Sequence, residues 1–322
     1  MADEKKSEEL QQQFYLPPPK LSKWEGFKLF MWNSERREFM GRTASSWGKV
    51  GLFYLIFYAG LAAFFAVMLV IFYQTLDVNE PKWQQEKSVI GTNPGLGFRP
   101  MPPEQIAEST LIWFKHGETV GNWEFYVKEL KRHLEEYEAG RQTSEYFKQC
   151  EAGETSGAKS CFFVLEYNNW GACNIENQFG FRDGTPCMLI KMNRIYGWKP
   201  VLYGVNETIP DASKELERVR RLHSNDASRN HTSEMVWVTC EGENPADKEN
   251  IGEIEYYPFA GFPAKYFPYK NVHGYLSPFV FAHFKSLQKN VLINVECKAW
   301  AKNIKHARME RRGSVHFELM VD

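Results

Sequence analysis

The sequence VGLFYLIFYAGLAAFFAVMLVIFY, residues 50–73, contains no charged side chain. At a rise of about 1.5 Å per residue, a helix of this length extends about 36 Å, which exceeds the roughly 30 Å hydrocarbon core of a bilayer. A buried core helix seldom runs this far without a polar residue, and a secretory signal peptide begins nearer the N-terminus and precedes a small-residue cleavage site. The segment therefore predicts one transmembrane helix, over residues 50–76.

The composition of the whole chain excludes several classes of protein. Its 322 residues include 39 Lys+Arg and 40 Asp+Glu, so the chain lacks the basic charge of a nucleic-acid-binding protein. Aromatic residues make up 15% of it, which is too many for a disordered chain. A mean hydropathy of -0.48 excludes a protein with several spans. We therefore expect a single span joined to globular structure, and no nucleic-acid partner.

The charges beside the span indicate its orientation. Within about 20 residues of the span, four basic residues precede it and two follow it, and the more basic side usually faces the cytosol. They are Arg36, Arg37, Arg42 and Lys49 before the span, and Lys82 and Lys87 after it. We predict a single-pass type II membrane protein, with a cytosolic N-terminus and contact with membrane lipid.

Cysteines and glycosylation sequons agree with this orientation. The sequons begin at Asn206 and Asn230, both after the span, and both asparagines are predicted to be glycosylated. All six cysteines also follow the span, as a disulfide framework in an oxidising compartment requires. They are Cys150, Cys161, Cys173, Cys187, Cys240 and Cys297.

Composition divides the chain into four segments. Residues 1–49 form a cytosolic N-terminal tail, whose polar first part, to about residue 25, is predicted to be disordered. Residues 50–76 form the transmembrane helix. Residues 77–105 carry Pro and Gly without periodicity and are interpreted as an extended extracellular stalk. Residues 106–322 are expected to form a glycosylated β-sandwich ectodomain.

The spacing of apolar residues predicts one helix and several strands in the ectodomain. Helical spacing followed by Gly140 predicts an amphipathic helix with Trp123, Val127, Leu130, Leu134 and Tyr137 on one face. Later apolar residues alternate, as in antiparallel strands packed on one side. These are Val236, Val238 and Cys240; Ile293, Val295 and Cys297; and Val315, Phe317, Leu319 and Val321. We predict a disulfide-bonded, immunoglobulin-like β-sandwich with one or more helices.

Loop lengths bear on the disulfide pairing. Six cysteines allow many pairings, but short loops favour Cys150 with Cys161 and Cys173 with Cys187. Cys240 and Cys297 both fall on apolar strand faces. A bridge between these two would cross the core, as the inter-sheet disulfide of immunoglobulin domains does.

Sequence patterns for catalysis are absent. The segment from Gly153 to Ser160 has the wrong spacing for a phosphate loop, and the chain has no GxSxG or HExxH motif. The eight histidines are scattered, so we expect no catalytic residue, no metal site and no cofactor. Arg218-Val219-Arg220-Arg221 resembles a convertase cleavage site, but we interpret it as the solvated face of a helix.

The predicted span has two distinct faces, one aromatic and one of small residues. Tyr54, Phe57, Tyr58, Leu61 and Phe65 fall within about 100° on a helical wheel. Two explanations are open for the tyrosines: an interfacial aromatic belt, or a face packed against another protein helix. A separate face gathers Ala59, Ala62, Ala63 and Ala66, which permit close helix approach.

Several motifs together resemble one family. They are Trp32-Asn33-Ser34, Glu38 to Thr43, Ser46-Trp47, Leu52-Phe53-Tyr54, Phe57-Tyr58, Pro94-Gly95-Leu96, Asp183 to Cys187, Lys191 to Arg194, Gly197 to Pro200 and Glu296 to Ala299. In this combination, which covers nearly the whole chain from about residue 24, the sequence is similar to the β subunits of the sodium/potassium-transporting ATPase, within the wider X(+)/potassium ATPase family. The long interval from Cys187 to Cys240 indicates an invertebrate-type member.

The resemblance implies a non-catalytic subunit of a cation pump. Such subunits assemble with a catalytic α subunit, allow its folding and membrane delivery, and tune its cation affinity; a small single-span regulatory subunit can join them. The resemblance carries Tyr54, Phe57 and Tyr58 over as α contacts, and it implies sequential disulfides. The family's ectodomain contact motif best matches Tyr266-Phe267-Pro268-Tyr269, with Tyr256 to Phe259 as a second candidate.

Two other functions are compatible with a type II glycoprotein. One is cell-surface adhesion, with the sandwich as a contact module. The other is an ectoenzyme such as a glycosyltransferase, which would need a metal-binding DxD motif that the sequence lacks.

Overall fold

The computed structural model describes residues 22–103, 109–117, 121–150, 159–163, 165, 170–204, 207–224, 234–307 and 309–322. The chain separates into two compact units, Met1–Leu76 and Asp77–Asp322. Asn206 and Asn230, the predicted glycosylation sites, lie outside the described residues, as do the first 21 residues of the predicted tail.

The first unit contains more structure than a tail and a span. Helix α1 (Lys23–Met31) is followed by three short antiparallel strands, β1 (Trp32–Asn33), β2 (Glu38–Phe39) and β3 (Arg42–Thr43), and then by helix α2 (Ala44–Gln74). The last helix has 31 residues and includes the predicted span. It begins before residue 50 because Thr43 caps it, with the Thr43 hydroxyl accepting a hydrogen bond from the backbone N–H of Ser46.

The second unit is built from two facing sheets. Its further strands are β4 (Leu96–Arg99), β5 (Leu111–Phe114), β6 (Phe147–Lys148), β7 (Ser160–Cys161), β8 (Cys187–Met192), β9 (Met235–Gly242), β10 (Ile254–Tyr257), β11 (Gly261–Pro263), β12 (Phe279–Phe284), β13 (Ile293–Trp300) and β14 (Ser314–Val321). One sheet has the order β10-β12-β8-β4 and the other β11-β9-β13-β14-β5. All pairs in them are antiparallel except β14 with β5. β6 and β7 form a separate parallel pair.

The core lies between these two sheets and confirms the predicted sandwich. Along β13 and β14, the apolar residues of the alternating pattern point inward, and Val295, Phe317 and Leu319 are fully buried. Phe317 packs against Phe98 and Phe284 of the other sheet, with ring centroids 4.9 and 6.2 Å away. Contacts of this kind hold the two layers together through apolar burial.

The predicted position of one disulfide is wrong. Cys240 and Cys297 are bonded, but they lie opposite each other on the neighbouring strands β9 and β13, so their bridge stays within one sheet. Strand alternation identifies the face of a residue but not the sheet to which its strand belongs. The link between the layers here is a hydrogen bond of 2.8 Å from the backbone N–H of Cys240 to the hydroxyl of Tyr256 on β10. Cys150–Cys161 and Cys173–Cys187 complete the sequential pairing.

Two other segments differ from the interpretation of the sequence. Residues 77–105 are not an extended stalk throughout, because β4 within them is an edge strand of the sandwich. The Arg-rich segment forms helix α4 (Lys214–Ser224), whose Arg218 donates to Glu215 and to the carbonyl of Ile254. The helix-face explanation of Arg218 to Arg221 therefore fits the structure.

The predicted amphipathic helix is confirmed as α3 (Trp123–Leu134), and Tyr137 is buried in the turn after it. Pro245–Asn250 forms the short helix α5.

Candidate partner-binding surfaces

The aromatic face of α2 is formed by side chains one helical turn apart. The rings of Tyr54 and Tyr58 stack with their centroids 6.0 Å apart, and Phe57 meets Tyr58 edge to face at 5.4 Å. About half of each of these side chains is exposed, and none of the helix's residues is buried by the described part of this chain. Rings held together in this way form a stiff apolar ridge that a neighbouring helix or lipid can cover.

The helix itself has the character of a span. Of the residues that the structure describes, α2 is the one helix long and apolar enough to cross a membrane, and its most apolar part is 0% buried. The core helix of a soluble protein would be covered by other parts of the chain. The same helix carries four small residues C-terminal to Tyr58, namely Ala59, Ala62, Ala63 and Ala66.

The ectodomain candidate motif is mostly inside the protein. Tyr266, Phe267 and Pro268 are buried, and only Tyr269 reaches the surface. Tyr266 packs on Phe163 with ring centroids 5.3 Å apart, and Phe267 packs on Trp198 at 5.5 Å. Of these four residues, Tyr269 therefore has the side chain that a partner can reach, since the other three are parts of the core.

In the second candidate motif, Tyr256 to Phe259, the two tyrosines also form contacts within the protein. Tyr256 is buried, and its burial raises its pKa well above the ordinary value. The hydroxyl of Tyr257 donates to Glu255 at 2.5 Å. These side chains stabilise β10 and its contacts.

Tyr269 belongs to an aromatic and cationic cluster that the sequence did not reveal as a unit. The guanidinium of Arg194 lies 5.5 Å from the ring centre of Tyr269 and 5.3 Å from that of Tyr275. The Tyr269 and Tyr275 rings are 4.9 Å apart, and Tyr196 meets Tyr269 edge to face at 6.4 Å. We call Arg194, Tyr196, Tyr269 and Tyr275 the tyrosine cluster. Arg194 was recognised only as part of a family-like motif, and Tyr196 and Tyr275 carried no periodic signal.

Hydrogen bonds hold the tyrosine cluster in place. Arg194 donates from Nε to the hydroxyl of Ser277 at 3.1 Å and from a terminal nitrogen to the carbonyl of Tyr275 at 3.2 Å. Burial raises the pKa of the Tyr275 hydroxyl, so that side chain stays neutral. Beside the cluster, a cleft of about 290 Å³ is lined by Arg194, Tyr269, Tyr275 and residues of the neighbouring loop. The cluster is a rigid surface with one cation and several aromatic edges.

The segment that follows the span reaches this cluster. Gln85, 11 residues after the end of α2, donates from its side chain to the carbonyl of Gly197 at 3.2 Å. Glu80 contributes to a raised pKa of Tyr196, after the larger effect of burial. The tyrosine cluster therefore lies beside the N-terminal segment of the second unit.

One group of side chains in the described residues has the geometry of metal ligands. It consists of Cys173, Cys187 and His283, with candidate ligand atoms within 4.8 Å of one another. The two sulfur atoms are joined in a disulfide, so they are not thiolate ligands.

Comparisons with known proteins agree on one family. The model of the sodium/potassium ATPase β chain matches residues 18–317. The chain is 41% identical to sodium/potassium-transporting ATPase subunit beta-2 of Drosophila melanogaster over 97% of this chain and 96% of the relative. It is 35% identical to subunit beta-1 of the same organism, over 96% of each chain. It is also 35% identical to the probable subunit beta-3 of Caenorhabditis briggsae, over 92% of this chain and 87% of that one.

These three relatives are invertebrate proteins. The match spans the apolar helix, the three disulfides and the sandwich together, so it concerns the whole architecture rather than one motif. A subunit with one membrane helix is consistent with the family match and with the single long apolar helix among the described residues. This chain belongs to the sodium/potassium ATPase β-chain family.

Proposed function

We propose that this chain is the non-catalytic β subunit of a sodium/potassium-transporting pump. In this role it assembles with a catalytic α subunit, supports the folding and membrane delivery of that subunit, and tunes its affinity for cations. The observation that carries the proposal is the uncovered aromatic ridge of α2 in a chain of this family. A membrane anchor needs only apolar residues, whereas stacked tyrosines at positions 54 and 58 suit a defined neighbour.

We assign the α contact within the membrane to Tyr54, Phe57 and Tyr58. Their exposure leaves the rings free to pack on a partner helix, and the hydroxyls of the two tyrosines can donate hydrogen bonds to that helix. Mutual stacking restricts their rotamers before assembly, which reduces the entropy lost on binding.

Outside the membrane, we assign the second α contact to Tyr269 and the tyrosine cluster around it. Tyrosine and arginine are the side chains that most often dominate protein interfaces, because they bury large areas and still form hydrogen bonds. Four such residues meet here, beside the N-terminal segment of the second unit. The cluster thus has the composition of an interface and the position expected for one.

The proposed topology is type II in the plasma membrane, with residues 1–49 in the cytosol. More basic residues precede α2 than follow it, and every disulfide lies after it. A small single-span regulatory subunit is a further proposed component of the complex.

Co-purification in mild detergent tests the main proposal. The tagged full-length chain is expected to recover a stoichiometric partner that has ouabain-sensitive ATPase activity, while the chain alone has none. Recovery without such a partner, from cells that express a sodium pump, would contradict the proposal and favour the adhesion function instead.

A pair of neighbouring substitutions tests the second contact. Tyr269→Ala should reduce the amount of recovered α subunit or its potassium affinity, because it removes the centre of the tyrosine cluster. Lys270→Ala is the matched control, since this exposed neighbour is outside the cluster. Equal behaviour of the two variants would remove Tyr269 from the contact.

A further inference from the structure

Helix α1 is short and has no buried side chain. It contains nine residues, and isolated helices of fewer than about 12 residues are marginal in water. Trp24, Phe27 and Phe30 lie at three-residue spacing within about 120° of one side of the helix. At least half of each of these side chains is exposed. A helix with this composition needs an external apolar surface to cover that side.

The connection to α2 sets the level at which α1 lies. The indole N–H of Trp47 donates a 2.8 Å hydrogen bond to the carbonyl of Phe39. Trp47 precedes Val50, the first residue of the uncharged run, by about 4.5 Å along the helix. Phe39 is therefore held at the level where an apolar span meets the lipid headgroups.

The end of α1 is tied to the same level. The backbone N–H of Met40, next to Phe39, donates to the carbonyl of Met31 at 3.3 Å. The ring of Phe30 lies against Gly41, where a positive φ of 73° suits glycine. These two contacts place the C-terminal end of α1 beside the strands that mark the headgroup level.

Charge around α1 indicates what covers it. Residues 22–49 contain six basic and three acidic side chains, a net charge of +3. The ammonium of Lys28 lies 5.6 Å from the ring centre of Trp24. Aromatic rings with lysines beside them are typical of helices that lie in a membrane interface, where cations contact phosphate groups and rings enter the acyl boundary.

We propose that α1 lies on the surface of the bilayer beside the span, with Trp24, Phe27 and Phe30 inserted among anionic phospholipids. Only the choice of the cytosolic leaflet rests on the proposed topology. Anionic lipid is the occupant because the net charge of residues 22–49 is positive and because the C-terminal end of α1 is held at the level where α2 meets the headgroups. In this role α1 restricts the tilt and rotation of the span.

Spin labels on opposite sides of α1 test the proposal. The described cysteines are all in disulfides, so a single introduced cysteine can carry the label. Phe27→Cys places it on the apolar side, and Glu25→Cys, about 160° around the helix, is the matched control. The purified full-length chain, alone and in complex with its partner, is placed in phosphatidylcholine vesicles with or without phosphatidylserine. Access of the label to oxygen is compared with access to a water-soluble nickel chelate.

With phosphatidylserine, the label at position 27 is expected to favour oxygen and that at position 25 the nickel chelate. Removing phosphatidylserine, or the change Lys23→Glu with Lys28→Glu, should shift the label at position 27 toward water. Equal access of both labels to nickel would overturn insertion, and no response to phosphatidylserine would overturn the anionic-lipid assignment. Shielding of position 27 from both reagents, seen only in the complex, would mean that a protein covers it. The chain alone gives the lipid result even if the pump partner fails to bind.

Discussion

The backbone N–H of Cys240 donates a hydrogen bond of 2.8 Å to the hydroxyl of Tyr256, and these two residues lie on opposing sheets. Cys240 and Cys297 lie opposite each other with their Cα atoms 3.9 Å apart, the close spacing of a non-hydrogen-bonded pair, so this N–H takes no part in the ladder with β13. The disulfide therefore strengthens one sheet, while a tyrosine from the other sheet satisfies the donor that the ladder leaves unpaired. Both groups are buried, so the loss of either partner would leave a polar atom without water.

The change Tyr256→Phe should lower the free energy of unfolding by about 1–3 kcal/mol, because it leaves the buried N–H of Cys240 without an acceptor. Tyr257→Phe on the same strand is the control. Its hydroxyl donates to Glu255 at a half-buried position, so a loss below about 1 kcal/mol is expected. Thermal unfolding of the full-length chain in detergent measures both, and equal losses would contradict the proposed link between the sheets.

Two of the three disulfides should differ clearly in their effect on stability. The loop closed by Cys240–Cys297 spans 57 residues, against 11 for Cys150–Cys161. Loop-closure entropy then predicts losses of about 4 and about 3 kcal/mol when each pair is replaced by alanine. We expect the Cys240→Ala/Cys297→Ala variant to be retained in the endoplasmic reticulum more strongly than the other. The reverse order in unfolding temperature and surface delivery would show that loop length does not decide the effect.

His133 on α3 should make stability depend on pH. Burial, with added repulsion from Lys191, Arg99 and Arg132, lowers the pKa of His133 to about 4 from an ordinary value of 6.5. The unfolded chain therefore binds a proton that the folded protein refuses, and stability falls as the pH drops from about 6.5 towards about 4. Between pH 7 and pH 5, His133→Gln should lose less melting temperature than the unmodified chain. His273→Gln, at an exposed site, is the control, and parallel losses in all three proteins would contradict this account.

The sequence was sufficient to predict the elements whose periodicity is long and strong. The amphipathic α3 and the alternating strands β13 and β14 each bury a face that their own residues specify, and the apolar run of α2 is identified by its length and lack of charge alone. Pairing between distant strands is not encoded in this way. The position of the Cys240–Cys297 bridge within one sheet became clear only when the register of β9 and β13 was known.

Burial of the ectodomain motif could not be read from the sequence either. Tyr266, Phe267 and Tyr269 are all aromatic and are near neighbours in the sequence, yet the first two are in the core and the third is at the surface. The difference depends on Phe163 and Trp198, which approach from distant segments. Helix α1 was missed for another reason: nine residues with three aromatic rings give too short a pattern to separate from a polar tail.

Glycosylation provides a test of orientation. Asn206→Gln and Asn230→Gln should each raise mobility on a gel by the mass of one glycan, and digestion with N-glycosidase should remove both steps. The prediction rests on the two sequons after α2. An unmodified chain that already lacks glycans, isolated from the plasma membrane, would contradict the placement of residues 77–322 outside the cell.

The most direct test of the central claim is the amount of α subunit recovered with variants of α2. Tyr54→Ala with Tyr58→Ala removes the stacked rings but keeps the apolar length, so insertion should be unchanged while recovery of α, or its activation by potassium, is reduced. Ile56→Ala with Val67→Ala, on the opposite side of the same helix and equally uncovered, should behave like the unmodified chain. Unchanged recovery and unchanged potassium activation in the tyrosine variant would contradict assembly through this face.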